Sequence, residues 1–275
     1  MSRNRRNWVT TGIAFITAFI LVSPILIAVA MSFTTSDSLH FPPEGFSLKW
    51  YQAVISEPKW QDRLPVSLEV AVLSGLIATT VSTLSAFALV RSKIRGKNLI
   101  STLFIAPLIV PVVVLGTGDF FVWANGWDFG SFAIGGKLLG TVLGLVLAHT
   151  IIAIPYPFVT VRASLVNVET TLELAAKNLG ATPVATFTTI TLPLILPGVL
   201  SGFIFAFIAS WDEVVLASFI STSRVSTVPV QIFQQLRDSL DPSAAAISSL
   251  LLLVSVTLVS LLALAQRKQS QKQTE

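Results

Sequence analysis

Cysteine is absent from the 275 residues, so neither a disulfide nor a thiolate metal site can form, and the redox compartment stays open. Charge is scarce as well. Asp, Glu, Lys and Arg make up 12% of the chain, against about 25% in a soluble domain. The two histidines, His40 and His149, have no partner at ligand spacing, which argues against a zinc centre. No convergent His, Asp or Ser set lies in the apolar runs, so a membrane enzyme has nothing to work with. The stretch from Ser131 to Leu138 comes nearest to a phosphate-binding loop. It has Ser where the first Gly belongs and Leu where the Mg-binding Ser or Thr belongs.

What is present is apolar: 53% of the residues, with a mean hydropathy of +0.77. Lipid offers no partner for backbone N–H and C=O groups, so runs of about 20 apolar residues become spanning helices. Six such runs are found, near Trp8–Phe33, Leu64–Val90, Leu99–Trp123, Leu138–Val161, Leu194–Ile220 and Ser243–Ala265. The sequence therefore predicts an all-α membrane protein with six transmembrane helices in one domain, 1–275. The stretches 125–137 and 221–242 are candidates to dip into the interface. Pro24, Pro107, Pro111, Pro155, Pro157 and Pro197 punctuate the spans and predict kinks.

Six spans put both termini on the side of the second and fourth loops. Arg3, Arg5, Arg6, Arg91, Lys93, Arg95, Lys97, Arg162, Lys177, Arg267, Lys268 and Lys272 lie there, twelve of the eighteen basic residues. Only Glu169, Glu173 and Glu275 accompany them, so this side is expected to be cytoplasmic. The same distribution reads the +4 net charge as a topology signal and not as a nucleic-acid surface. A cleaved leader ending at Ala28-Val29-Ala30 is the rival for the first run. That run is longer than the apolar core of about 7–15 residues such leaders carry.

Between the fourth and fifth runs lies a mixed segment, 162–193. Glu169 to Leu179 reads as a short amphipathic helix, with Gly180 as the left-handed residue that ends it. Thr182 and Pro183 then read as cap and first-turn proline of a second helix. Leu192-Pro193 is expected to break that helix before the next span. Ala175 and Ala176 leave a face with little bulk, where another protein can approach.

This segment resembles the EAA loop of importer-type ABC transporter permeases. The pattern is Glu-Ala-Ala, three residues, Gly, nine residues, Ile, one residue, Leu-Pro. Ala175, Ala176, Gly180, Ile190, Leu192 and Pro193 match it. Leu174 stands where the Glu belongs, and Glu173 is one position earlier, turned by about 100° on a helix. Arg91–Lys97 with Ala106–Pro111 resembles the second cytoplasmic loop and third span of the same permeases. Ser210–Phe219, Val228–Ile232 and Asp241–Ala246 are similar to the spermidine/putrescine branch, whose relatives handle opines and aminophosphonates. The likeness is strongest over 64–262.

The resemblance implies a type I importer permease fold with the EAA loop as coupling element. It implies a second permease subunit, two cytoplasmic ATPase subunits carrying ATP and Mg, and an extracytoplasmic solute-binding protein. No cofactor is expected in this chain. An ion-gradient-driven secondary transporter is the alternative from another class, but it gives that loop no role.

Charges inside a span are costly and mark pathways or buried pairs. Asp212 and Glu213 near the outer end of the fifth run, Asp119 in the third and Glu69 in the second have no basic partner within a span. They are candidates for an acidic path that concentrates a cationic solute. The alternative is that such acids sit at the outer interface, where a charge costs little, and this is the plainer reading for Asp119 and Glu69. Trp211 could stack on such a cation, or sit as an interfacial belt residue. For His149, mid-span, the plainer reading is a neutral ring hydrogen-bonded inside the bundle, with a path-lining role as the alternative.

Overall fold

The computed structural model describes residues 2–128, 133, 134, 136–238 and 241–272. Ser131 and Gly135 of the phosphate-loop-like stretch, and Glu275, lie outside them. The elements are α1 (Ser2–Met31), α2 (Lys49–Ser56), α3 (Pro58–Gln61), α4 (Arg63–Arg91), α5 (Lys97–Ile105), α6 (Val112–Asn125), α7 (Val142–Ala153), α8 (Pro155–Val166), α9 (Thr170–Asn178), α10 (Pro183–Thr186), α11 (Leu192–Trp211), α12 (Val215–Ile220), α13 (Val228–Asp238) and α14 (Ser243–Lys272). Between α6 and α7 two short antiparallel strands, β1 (Trp127–Asp128) and β2 (Ala133–Ile134), pair Trp127 with Ile134 and Asp128 with Ala133. Among the described residues four helical stretches are long and apolar enough to cross a membrane: Thr10–Met31, Pro58–Arg91, Pro183–Trp211 and Ser243–Gln266. Two bent pairs, α5 with α6 and α7 with α8, bring the number to six if each is one span. Ala28–Ala30 is helical, in the last turn of α1.

Internal contacts group the chain into two units, 1–61 with 232–254 and 62–231 with 255–275. In the first, none of the apolar stretch Thr10–Met31 is buried, as expected of a helix whose solvent is lipid. Beyond it, Ser32 and Tyr51 hydroxyls lie 2.7 Å apart and the Trp50 indole donates to the Thr34 carbonyl at 2.9 Å. Asp241 ties this unit near the start of α14: it accepts from the Ser243 N–H at 2.8 Å and from Lys59 at 3.0 Å. Burial alone would raise the Asp241 pKa, but the Ser243 N–H and the Lys59 ammonium outweigh it and hold it below the ordinary carboxylate value.

The second unit is built around α4. Ala71, Ser74, Ala78, Ser82 and Ala86 recur at three- and four-residue spacing and are all buried, so α7, α8 and α11 approach its backbone closely. Small residues matter in lipid because no hydrophobic force presses helices together and packing must supply the attraction. Ser82 Oγ also donates at 2.9 Å to the Ile154 carbonyl at the α7–α8 bend. One apolar cluster joins Val70, Leu145, Val146, Leu216 and Ile220. Another joins Ala86, Leu89, Phe158, Leu165 and Ile195, with Phe104 stacked on Phe158 at 4.7 Å.

Three expectations from the sequence are corrected here. The third run is not one helix, for α5 and α6 meet at 97°. Pro111 has no N–H for the ladder and drives Val110 away from helical conformation, and its own ψ of 130° is extended. The fifth run does not continue to Ile220. It stops at Trp211, and α12 starts afresh at Val215. Nor does Leu192-Pro193 break the chain: Pro183–Trp211 is continuous. A π-helical turn at Phe187–Thr191 runs directly into α11, and this local widening lets the helix carry Pro193, which has no N–H for the ladder. The segment 221–242 carries α13, whose Val228 N–H donates to Ser67 Oγ at 2.7 Å.

Candidate functional site

Three helix interruptions converge on one cavity of 550 Å³: the turn between α5 and α6, the α7–α8 bend, and the α11–α12 break. Its lining includes Pro107, Val110, Ile152, Tyr156, Asp212 and Glu213, and holds two acids but no basic side chain. A backbone that leaves helical geometry at membrane depth is tolerated where it lines a cavity, and all three departures here do so. Asp212 is exposed and forms no ion pair among the described residues. Glu213 differs: its two carboxyl oxygens accept the N–H groups of Leu216 at 2.8 Å and Ala217 at 2.7 Å. It therefore satisfies two of the donors that every helix start leaves bare.

Behind Glu213 lies His149, fully buried. Its Nδ1 is 2.7 Å from Ser210 Oγ, and Ser74 Oγ is 3.0 Å from that same oxygen. The tautomer with hydrogen on Nε2 lets Ser210 donate to Nδ1. It also points the ring N–H toward Glu213 Oε2, 4.0 Å away and too far for a direct hydrogen bond. The opposite tautomer would set a lone pair against a carboxyl oxygen. The ring is hydrogen-bonded inside the bundle and does not line the cavity. Replacing Ser210 with Ala is expected to leave Nδ1 buried without a partner, at about 1–3 kcal/mol. Thermal unfolding of the purified protein should show it as a lowered melting temperature.

The other three path candidates lie elsewhere. Trp211 is 5% exposed and stacks on Phe207, with centroids 5.5 Å apart, and it does not line the cavity. Asp119 on α6 is outside the cavity lining, with Oδ2 buried and unpartnered among the described residues. Glu69 on α4 is exposed. Tyr156, missed in the sequence, reaches the cavity from the α7–α8 bend. Its only signal was the flanking pair Pro155 and Pro157.

The second cluster is the elbow formed by α9 and α10. Gly180 has φ +85° and open space around a built Cβ, so conformation and not crowding requires glycine. Around it Ala181 N–H donates to Ala176 O and Gly180 N–H to Lys177 O, both at 3.0 Å, the paired closure that ends a helix on a left-handed residue. Thr182 Oγ1 accepts from Ala185 N–H at 3.2 Å and opens α10. Ala175, Gly180 and Pro193 are exposed, while Ala176, Ile190 and Leu192 are half-buried. Leu174, Leu179 and Val184 present apolar surface, 56%, 89% and 72% exposed. Glu173 turns inward. Its Oε1 accepts from Arg91 Nε at 3.0 Å and from Thr191 Oγ1 at 3.0 Å.

A bundle of apolar spans, broken where it lines a cavity, is the fold of a polytopic membrane permease. The chain belongs to the family of binding-protein-dependent transport system inner membrane components, whose pattern matches residues 71–271. It is 32% identical over 233 residues to the putrescine transport system permease protein PotI of Escherichia coli strain K12, covering 84% of this chain and 81% of that one. It is 30% identical over 263 residues to the spermidine/putrescine transport system permease protein PotC of Haemophilus influenzae strain Rd, covering 96% and 98%. A solved bacterial ABC transporter involved in import of the acidic polysaccharide alginate shares the fold, with a TM-score of 0.75 at 14% identity over 96% of both chains. The chain is thus an inner-membrane permease subunit of a binding-protein-dependent ABC importer.

Proposed function

We propose that this permease carries a polyamine or a related amino-bearing solute inward, driven by ATP hydrolysis in partner subunits. The observation that carries the reading is the cavity, lined by two acids and no basic residue. Field lines from the free Asp212 carboxylate, with Glu213 beside it and no base in the lining, favour a cation and repel an anion. The Tyr156 ring adds a face on which an ammonium can rest. Relatives named for putrescine and spermidine point the same way.

In this reading the basic face and both termini are cytoplasmic. A second permease completes the pathway, and a binding protein delivers solute from the other side. The elbow residues Ala175, Ala176 and Gly180, with Ile190, Leu192 and Pro193 behind them, seat α9 and the exposed Leu174, Leu179 and Val184 on an ATPase subunit.

The test is reconstitution of the complex with its binding protein, measuring ATP hydrolysis with putrescine, spermidine, an opine and an aminophosphonate. Stimulation by a polyamine is expected. A response to the aminophosphonate or the opine alone would overturn the solute. Gradient-driven uptake without ATPase subunits would overturn the mechanism. Asp212→Asn should lower putrescine uptake by tenfold or more, the value of a charge-assisted hydrogen bond of ~1.5–3 kcal/mol. The melting temperature should not change, since Asp212 pairs with nothing in the described protein.

A further inference from the structure

We infer that Arg91, Glu173 and Thr191 form a strut that transmits displacement of α9 directly to α4 and α11. The inference rests on the importer reading above, and it concerns positioning residues that never meet the solute. Helix α9 buries no side chain completely, so packing alone holds it weakly. It is joined to α8 by the short link at 167–169 and to α10 through the left-handed Gly180. What fastens it from the side is Glu173. One carboxyl oxygen is shared by the Arg91 guanidinium, with both Nε and Nη2 at 3.0 Å, and by the Thr191 hydroxyl at 3.0 Å.

Each leg ends on a different span. Arg91 is the last residue of α4, the helix with the buried stripe of small residues, and its Nη2 also donates to the Val168 carbonyl at 3.1 Å. Thr191 is the last residue of the π-helical turn that runs straight into α11. The Arg91 and Glu173 side chains are only 16% and 14% exposed, so water screens the pair little. A guanidinium fork fixes direction as well as distance.

A push on α9 therefore moves α4 and α11 together, and these are two of the helices around the cavity's unit core. The offset from the EAA pattern acquires a meaning. With Leu174 facing out and Glu173 facing in, the carboxyl group serves the permease's own spans and leaves the docking face apolar.

The experiment uses the full complex with its ATPase subunits and binding protein in proteoliposomes, reading solute imported per ATP hydrolysed. Glu173→Gln and Arg91→Gln should each assemble normally and retain basal ATP hydrolysis. Each should lose about five- to tenfold in imported solute per ATP, the size of a modest coupling between sites. Thr191→Val, which removes one leg, should lose less and serves if a charge variant fails to fold. The exchange Arg91→Glu with Glu173→Arg restores the ion pair but not the bond to the Val168 carbonyl, so it should recover part of the loss.

Single variants with the wild-type ratio, or an exchange that recovers nothing, would overturn the strut. So would Glu173→Gln failing to bind the ATPase while Arg91→Gln binds it, because Glu173 would then be a docking contact. If the wild-type complex itself shows no ATP-driven uptake, the importer reading fails, and a melting-temperature cycle of the wild type, Glu173→Gln, Arg91→Gln and the double glutamine variant still reports whether the pair is coupled.

Discussion

Replacing Gly202 with Leu is expected to abolish the folded permease, and replacing it with Ala to weaken it visibly. Helix α11 crosses α8 at Gly198 and Gly202, one turn apart. A Cβ on Gly202 would lie 2.6 Å from Pro157 Cα and 2.6 Å from Thr160 Oγ1. Real Cβ atoms essentially never come within 3.0 Å of such neighbours. Here one of them is the backbone of a proline, which cannot swing aside. Gly198 meets Ser164 Oγ and the Thr160 carbonyl in the same register. The two helices would have to separate along the whole crossing. In lipid, attraction between helices comes from close packing, so separation forfeits it.

Overpacking by one methyl costs ~1–3 kcal/mol. Leucine adds three further carbons at a site with no room for the first. Thermal unfolding in detergent should show a lowered midpoint for Gly202→Ala. Gly202→Leu should give no monodisperse complex. A leucine variant that melts like the wild type would show that α8 and α11 do not approach in this way. Gly12, on lipid-exposed α1 with open space around a built Cβ, is the control: Gly12→Ala should change nothing.

Much of this fold was legible because a bilayer permits so few answers. A 20-residue apolar run has to be a helix in lipid, so α1, α4, α11 and α14 were visible at once. The elbow was legible for a different reason. Gly180, Thr182 and Pro183 are each suited to one backbone conformation, and each adopts it. The prolines were not legible in the same way. Pro24 and Pro197 sit inside continuous helices, whereas Pro111 marks a 97° turn. What differs is whether neighbouring segments offer a cavity for the freed backbone, and that is tertiary information. The break after Trp211 was hidden because apolar residues continue on both sides of it. Arg91 and Glu173 lie 82 positions apart, and nothing local to either announces the other.

The same blindness made Asp212 and Glu213 look like one feature, and their substitutions are expected to part company. Glu213 holds the start of α12 through Leu216 and Ala217 N–H groups, and α12 in turn seats Leu216 and Ile220 in the core cluster. Glu213→Leu would leave both donors bare in a water-poor site, at about 1–3 kcal/mol each. It would also remove the group that His149 Nε2 faces. We expect a large fall in melting temperature and loss of uptake together.

Glu213→Gln keeps one acceptor oxygen for the α12 N–H groups, so its melting temperature should fall less than that of the leucine variant. Asp212→Asn should differ from Glu213→Leu in losing uptake with stability intact. Uptake and unfolding measured on the three variants separate the roles. A Glu213→Leu protein that melts like the wild type would show that α12 needs no cap. If the pattern holds, the acid that opens the cavity and the acid that serves the solute are neighbours with different tasks. The helix break is then what keeps Asp212 free, because an uninterrupted helix to Ile220 would place it on a continuous wall with no cavity to face.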